Sequence, residues 1–334
     1  MKMTTQEIRP EWYGKPYYSL DAWCKNTLGR KCYKIALNAH MTCPNRDGSL
    51  DTRGCIFCSA GGSGDFAADI TEWISHISAT DADPDQSSRR SLSPNLIAYF
   101  QAYTNTYAPV PYLRQIYSEA LSRSDVCGIS IATRPDCLPD EVLSLLAELK
   151  TAFPNKFIWV ELGLQTIHEQ TARFIRRGYE LPCFEKAFRK LQEINIPVIV
   201  HLILGLPGET PDMLRESITY MNKLRPFGIK LQLLHILSGT DLGDMYLRGE
   251  VHPLEKDEYL NLLIDCIRRL SPDIVIHRLT GDGPKSILLA PKWSANKRDV
   301  LNSLHKRLKL LSAHQGDHVK TATHKPASSK TSRK

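Results

Sequence analysis

The regular spacing of the apolar runs constrains the fold of this chain most strongly. Five such runs are centred near positions 99, 130, 160, 201 and 231, and amphipathic helical patterns lie between them. A unit of one strand and one helix needs about 30 residues, which matches this spacing. The runs are continuously apolar, as in parallel strands covered on both faces. The pattern therefore predicts a parallel α/β fold, either a doubly wound sheet or a complete or partial barrel.

The same pattern predicts where the elements begin and end. Strands are expected at 33–37, 96–103, 126–133, 157–164, 197–204, 228–234 and 274–277, and helices at 111–123, 139–150, 168–177, 182–194 and 255–270. Thr210 is expected to cap a further helix that begins at Pro211. We divide the chain into an N-terminal extension (1–30), a core (31–278), a C-terminal helical extension (279–312) and a disordered basic tail (313–334). In either architecture, ligands bind at the C-terminal ends of the strands.

The positive charge is concentrated at the C-terminal end. The chain has 334 residues and a formal net charge of +7. From Ser303 onward there are eight Lys and Arg residues and one acid, Asp317, so the preceding part is neutral overall. A basic tail suits a polyanion such as RNA, and a solvated terminus that only aids solubility explains it equally well.

Apolar length and cysteine count indicate the compartment. The most apolar stretch, 196–206, contains His201 and is shorter than the roughly 20 residues that a bilayer requires. The first ten residues lack the apolar region of a secretion signal. Nine cysteines, an odd number, argue against a disulfide framework. We therefore expect a cytoplasmic protein with no membrane partner.

Three cysteines lie on one loop directly after the first predicted strand. Cys43, Cys55 and Cys58 have the spacing C-x11-C-x2-C. A C-x2-C pair can hold adjacent corners of an iron–sulfur cluster or bind one zinc ion. A structural zinc site needs a fourth ligand, for which His40 is the nearby candidate. The loop therefore indicates an iron–sulfur cluster with one open position or a structural zinc site, and three unconnected cysteines are the remaining alternative.

This loop and four later segments resemble those of radical S-adenosylmethionine (SAM) enzymes, in the subgroup near the catalytic subunit of Elongator. The segments are Ser130-Ile-Ala-Thr-Arg-Pro-Asp136, Glu161-Leu-Gly-Leu-Gln165-Thr, Arg177-Gly-Tyr179 and Leu204-Gly-Leu-Pro-Gly-Glu-Thr210. The resemblance extends over about residues 10–310, and it is to the stand-alone YhcC/YtqA-type branch, which lacks the acetyltransferase domain. It implies a partial (β/α)6 TIM-like barrel of the radical SAM type.

The resemblance also implies the cofactors and the residues that bind them. The three cysteines are expected to hold a [4Fe–4S] cluster, and SAM is expected to bind its open iron. Phe57 is expected beside the adenine, and Gln165 near the ribose or methionyl end of SAM. The other expected cofactor-binding residues are Gln101, Tyr103, Arg134, Glu161, Arg177 and Gly205.

Two of these arginines are also the expected catalytic residues. Arg134 and Arg177 are expected to recognise a carboxylate of SAM or of the substrate. The chain departs from the family at two places: Ala132 stands where many relatives have a Glu that touches SAM, and Tyr179 replaces the usual His. The second change makes proton transfer at position 179 unexpected.

The activity implied by the resemblance is radical chemistry on tRNA. A flavodoxin- or ferredoxin-type donor would supply an electron to the cluster. That electron would cleave SAM and release a 5′-deoxyadenosyl radical. The implied substrate is the 5-substituent of a wobble uridine, converted for example from carboxymethylaminomethyl to aminomethyl. Two alternatives are a radical SAM enzyme that acts on a small molecule and a zinc-stabilised RNA-binding protein without catalysis.

Overall fold

A parallel sheet of eight strands forms the centre of the molecule. The computed structural model describes residues 11–62, 64–78 (backbone alone for 76–78), 95–281 and 283–319. The strands are β1 (Tyr33–Asn38), β2 (Ala68–Asp69), β3 (Leu96–Phe100), β4 (Val126–Thr133), β5 (Phe157–Gln165), β6 (Val198–Leu204), β7 (Gly228–Leu233), β8 (Ile236–Leu237), β9 (Val275–Arg278) and β10 (Leu288–Ala290). The sheet has the order β2-β1-β3-β4-β5-β6-β7-β9, and β8 pairs separately with β10.

Helices follow the strands along the chain. They are α1 (Leu20–Leu28), α2 (Ile70–Ser78), α3 (Val110–Ser122), α4 (Asp140–Ala152), α5 (Glu169–Phe174), α6 (Leu181–Glu193), α7 (Pro211–Leu224), α8 (Asp241–Leu247), α9 (Lys256–Arg269) and α10 (Lys297–Leu310). As predicted, α7 begins at Pro211, and the Thr210 hydroxyl caps it by accepting the Met213 N–H. No helix in the described part of the chain is long and apolar enough to cross a membrane.

The sheet is the wall of a partial barrel. Strands β1, β3, β4, β5, β6 and β7 are neighbours in the sheet and run parallel. Their outward apolar side chains form one large core with the helices, and burial of such a core supplies most of the stabilisation of a fold. The predicted partial (β/α)6 barrel is confirmed. The largest boundary errors are three residues, at β3, which ends at Phe100 and not at Tyr103, and at α5, which ends at Phe174 and not at residue 177. Tyr103 itself adopts a left-handed conformation with φ of 57°, which is incompatible with a continued strand.

The N-terminal segment covers the N-terminal end of the barrel. The indole of Trp23 on α1 lies 5.0 Å from that of Trp159, 5.7 Å from the ring of Phe157 and 5.4 Å from that of Phe227. These edge-to-face contacts bury aromatic surface that would otherwise face water. Trp23 is therefore part of the packed barrel.

The first residues of the predicted basic tail are ordered. Gln315 is buried, its Oε1 accepts the Tyr18 N–H at 2.8 Å, and its Nε2 donates to the Ser271 and Ile274 carbonyls at 2.7 and 2.8 Å. A buried amide with three partners is held firmly. The predicted start of the disordered tail at residue 313 is therefore too early, and residues 320–334 lie outside the described part.

Candidate functional site

One cavity at the C-terminal ends of the strands collects nearly all of the predicted site residues. Its volume is about 500 Å³. Ten of the eleven predicted residues line it, namely Cys43, Cys55, Phe57, Cys58, Gln101, Tyr103, Arg134, Glu161, Gln165 and Arg177. Gly205 is not among the lining residues. It occupies a turn with φ of +86°, where an added Cβ would lie 2.9 Å from Leu254 Cδ1, so its part in the structure is the turn itself.

The cysteine loop is held together by polar contacts around its thiols. The Cys58 N–H donates to the Cys55 carbonyl at 3.0 Å. Asn45 Nδ2 lies 3.6 Å from Cys55 Sγ and donates to the Arg176 carbonyl at 2.8 Å. The Arg46 guanidinium donates to the Cys58 carbonyl at 2.5 Å. These contacts place donor groups beside two of the three sulfurs.

The donor set suits a metal cluster. Burial raises the pKa of the Cys55 thiol to about 12 and also raises that of Cys58, although the Arg46 charge acts in the opposite direction on Cys58. A bound cation reverses such shifts, since it deprotonates a coordinating thiol. Among the described residues, no three His, Cys, Asp or Glu side chains are arranged to share a single ion. The fit rests on three partly buried cysteines that line one cavity, the ligand type that iron–sulfur clusters take.

Two residues at strand ends are held in an unfavourable backbone conformation. Tyr103 and Gln165 have φ of 57° and 62°, and both line the cavity. Left-handed φ values are uncommon for residues other than glycine, and they cluster at functional sites. The Tyr103 N–H donates to the Gly62 carbonyl at 3.0 Å, which ties the end of β3 to the cysteine loop.

The two predicted catalytic arginines have protein partners. Arg134 donates to both Asp136 oxygens at 2.9 and 2.6 Å and to the Arg177 carbonyl at 3.0 Å. Arg177 is buried and donates to the carbonyls of Leu164 and Thr166 at 3.0 and 2.7 Å. It also donates to the Tyr179 carbonyl and to Glu169. Through these contacts Arg177 positions the backbone at the end of β5 and at Tyr179.

Tyr179 packs between the two arginines. The guanidinium carbons of Arg134 and Arg177 lie 5.0 and 4.7 Å from its ring centroid, a cation–π arrangement. Its hydroxyl lies 2.9 Å from the Gly163 carbonyl oxygen and 3.2 Å from Gln165 Oε1. Burial raises the pKa of Tyr179 far above its ordinary value. Tyr179 therefore orients its neighbours and stays protonated.

We expect Gly178→Ala to destabilise the protein more than Gly249→Ala. Both glycines have left-handed φ, of +84° and +75°, and an alanine there costs about 1–2 kcal/mol. At Gly178 the new Cβ would also lie 2.6 Å from Asn45 Oδ1 and 3.2 Å from Arg134 Nη2, whereas nothing lies within 4 Å at Gly249. Overpacking adds about 1–3 kcal/mol. Urea unfolding of both variants measures the difference, and equal free energies of unfolding would contradict the close packing.

A buried ionic group inside the barrel was missed by the sequence analysis. Lys34, Glu161, His201, Lys230 and Arg278, which we name the barrel-centre cluster, lie on five different strands. Glu161 Oε1 lies 2.5 Å from Lys34 Nζ, and Oε2 lies 2.7 Å from His201 Nε2. Lys230 Nζ also pairs with Oε2. Charged residues inside apolar strand runs were the available signal, because such residues are rarely buried unless paired.

The cluster changes the part expected for Glu161. Its side chain is fully buried, and Ser130 Oγ donates to Oε1 at 2.6 Å in addition to the partners above. Burial alone would raise its pKa, but the charges of Lys230 and Lys34 hold it well below the ordinary value. Both oxygens are thus occupied, and Glu161 organises the barrel interior.

We expect the protein to lose stability as the pH falls from about 6.5 towards 4. Burial, with smaller effects of Lys230 and Lys297, lowers the pKa of His201 and of His235 to about 4 each. Because the unfolded chain binds these protons at higher pH than the folded one, each histidine removes up to about 1.4 kcal/mol per pH unit in this window. Urea unfolding between pH 5 and 7 measures the slope. The slope should be smaller for His235→Gln, and an unchanged slope would contradict the assignment.

Comparison with known proteins identifies the family. A model of the Radical SAM superfamily matches residues 52–221, and one of the Radical_SAM C-terminal domain matches residues 226–310. YtqA of Bacillus subtilis is 42% identical over 302 residues, 90% of this chain and 92% of YtqA. A tRNA uridine(34) acetyltransferase of Methanocaldococcus jannaschii is 27% identical over 166 residues, 48% of this chain and 29% of that protein.

A solved structure supports the same fold. The archaeal Elp3 of Methanocaldococcus infernus superposes with a TM-score of 0.62 at 15% identity, over 85% of this chain and 65% of that chain. At that identity the likeness concerns the fold alone. The family matches and the YtqA relative cover most of the chain. This chain therefore belongs to the radical SAM enzymes, in their Elongator-like branch, a family that uses a [4Fe–4S] cluster and SAM.

Proposed function

We propose that this enzyme modifies the 5-substituent of a wobble uridine in tRNA, converting a carboxymethylaminomethyl group to aminomethyl. The observation that carries the proposal is the similarity of the chain to a tRNA uridine(34) acetyltransferase, combined with three partly buried cysteines that line one cavity. When bound, the cluster and SAM would supply a radical that takes a hydrogen atom from the methylene beside the substrate carboxylate. With SAM as the two-electron oxidant, water would then cleave the C–N bond, and the two carboxymethyl carbons would leave as glyoxylate. The family resemblance suggests the wobble substituent, and the cavity is the place where it would bind.

The residues of the chain hold and orient the reacting groups. Cys43, Cys55 and Cys58 are proposed as the cluster ligands, with Asn45 donating towards the Cys55 sulfur. Such outer contacts tune a cluster and orient its ligands. Phe57 is proposed to give an apolar wall for the adenine, and Gln165 to bind the sugar or methionyl end of SAM. Gly205 does not line the cavity, and we propose only that it forms the turn after β6.

A second cavity beside the first supports a polyanionic substrate. It is lined by Lys285, Lys292 and Lys297 and shares His235 and Pro284 with the first. Basic side chains at the entrance of a site that takes a single nucleotide suit the phosphates on either side of it. We therefore propose that an anticodon loop approaches over these lysines.

The test is nucleoside analysis after an anaerobic reaction. The reconstituted enzyme is mixed with SAM, dithionite and tRNA that carries carboxymethylaminomethyluridine, and the control tRNA lacks the modification. The proposal expects 5′-deoxyadenosine together with aminomethyluridine in the first reaction alone. Formation of 5′-deoxyadenosine with no change in either tRNA would overturn it and favour a small-molecule substrate.

A further inference from the structure

Two ammonium groups of the barrel-centre cluster share one carboxylate. Lys34 Nζ and Lys230 Nζ both pair with Glu161 within the described part of the barrel interior. Burial lowers the pKa of Lys34, the Glu161 charge acts in the opposite direction, and the Arg278 charge has a smaller lowering effect. One carboxylate does not fully neutralise two ammonium groups, and an uncompensated buried charge is costly. The interior is therefore electrostatically complementary to an additional anion.

The neighbouring strands bring these groups into register. His201 on β6 pairs with Lys230 on β7, and Lys230 pairs with Arg278 on β9. Lys34 on β1 reaches the same carboxylate from the other side of the barrel. The cluster is thus a built layer of the barrel, assembled from strands that are far apart in sequence.

Lys34 is the ammonium group that faces the cavity. Its side chain retains 17% of its exposure, against 2% for that of Lys230, and Lys34, Glu161, His201 and Arg278 line the cavity. Of its three N–H bonds, one is directed to Glu161, and no other hydrogen-bond acceptor contacts it among residues 11–62, 64–75, 95–281 and 283–319. The Glu161 carboxylate already has four donors, namely Lys34, Ser130, His201 and Lys230. Its single negative charge is therefore shared between the two ammonium groups.

The arginines at the rim are less suited to this task. Arg134 is neutralised by Asp136, which it binds through two N–H bonds. Arg177 directs its N–H bonds to carbonyls and to Glu169. A substrate carboxylate would have to displace these partners, whereas at Lys34 it would add a charge-assisted hydrogen bond.

We propose that the barrel-centre cluster binds a carboxylate of the substrate, with Lys34 as its direct donor and Lys230 and Glu161 as positioning residues. The inference rests on the proposed function, in which the substrate carboxylate is that of the carboxymethylaminomethyl group. Glu161 and Gln165 are separated by four residues along β5, or about 13 Å. The carboxylate would therefore lie deep in the barrel, below the strand ends where SAM is expected.

The first experiment measures discrimination in binding, without turnover. The reconstituted enzyme, without reductant, is titrated with an anticodon stem-loop that carries carboxymethylaminomethyluridine and with the same stem-loop carrying aminomethyluridine. The wild-type protein is expected to bind the first about tenfold more tightly, the effect of one charge-assisted hydrogen bond. Lys34→Met should bind both equally. The matched control is Lys190→Met, which removes an ion pair with Asp140 on the outer helices and should retain the tenfold preference.

The second experiment needs no RNA. Sodium acetate should raise the melting temperature of the reconstituted wild-type enzyme above its value in sodium chloride of the same concentration, and this difference should vanish in Lys34→Met. No acetate effect on the wild type, or retained discrimination in Lys34→Met, would overturn the carboxylate site. If acetate acts as expected but neither tRNA is modified, the carboxylate site stands and the proposed substrate is wrong. If tRNA is modified but Lys34→Met still discriminates between the two stem-loops, the proposed substrate stands and the carboxylate site is wrong.

Discussion

Replacement of Cys55 by Ala is expected to remove most of the bound iron and to abolish the formation of 5′-deoxyadenosine. The same result is expected for Cys43 and Cys58, since all three thiols line the cavity. Loss of an outer-shell partner alone costs about 10- to 100-fold in metal affinity or activity, so loss of a ligand should exceed about a hundredfold. Iron and sulfide analysis with product chromatography, all under anaerobic conditions, measures both effects.

The matched control for these variants is Cys183→Ala. Cys183 is a partly exposed free cysteine on α6, outside the lining of the cavity. It should retain both iron and activity. Full iron content and full activity in Cys55→Ala would show that the cluster lies elsewhere. A colourless wild-type protein with about one zinc per chain would favour the zinc-stabilised RNA-binding alternative, because a structural zinc is held at a closed site.

Glu161→Gln is expected to lower the free energy of unfolding by about 3–5 kcal/mol, the cost of removing one partner from a buried ion pair. The neutral amide would leave the ammonium groups of Lys34 and Lys230 without their counter-charge. In the double variant Glu161→Gln/Lys230→Met one of these buried cations is also gone. We expect the double variant to be more stable than the single one by about 1 kcal/mol or more.

Equilibrium urea unfolding at pH 7 tests this coupling. The control is Glu148→Gln, whose carboxylate pairs with Arg114 at 2.6 Å on the exposed surface and should contribute less than about 1 kcal/mol. A similar small effect for Glu161→Gln would mean that the barrel interior is solvated enough to tolerate its cations alone. Additive effects of the two substitutions in the double variant would likewise contradict the direct pairing.

Most of the strands could be predicted because their sequences carry a strong signal. β4 is Val126–Thr133, as predicted, and all eight of its residues are buried. Such a run has few alternatives once Ser124 and Asp125 before it and Pro135 after it mark the neighbouring loops. The choice between a doubly wound sheet and a partial barrel depended on strand order instead. That order results from contacts between distant segments, for which periodicity alone contains no information.

The site was predictable in its position but only partly in its contacts. The motifs placed ten residues around one cavity, because parallel strands end at the same edge. The sequence analysis did not predict that Arg134 binds Asp136, although the two residues are only two positions apart. Lys34 and Glu161 are 127 positions apart, so only closure of the barrel brings them together. Ionic partners of this kind require the fold to be known first.

The buried amide of Gln315 sets the limit for shortening the chain. It satisfies the Tyr18 N–H and the carbonyls of Ser271 and Ile274, so a chain that stops at 312 would leave three backbone groups to find water at the closed end of the barrel. A comparison of RNA binding with and without the basic terminus should therefore delete residues 320–334. A chain cut at 312 would lose the positive charge of the terminus and also the hydrogen bonds by which Gln315 joins Tyr18 to the segment 271–274. The two effects on RNA binding could then not be separated.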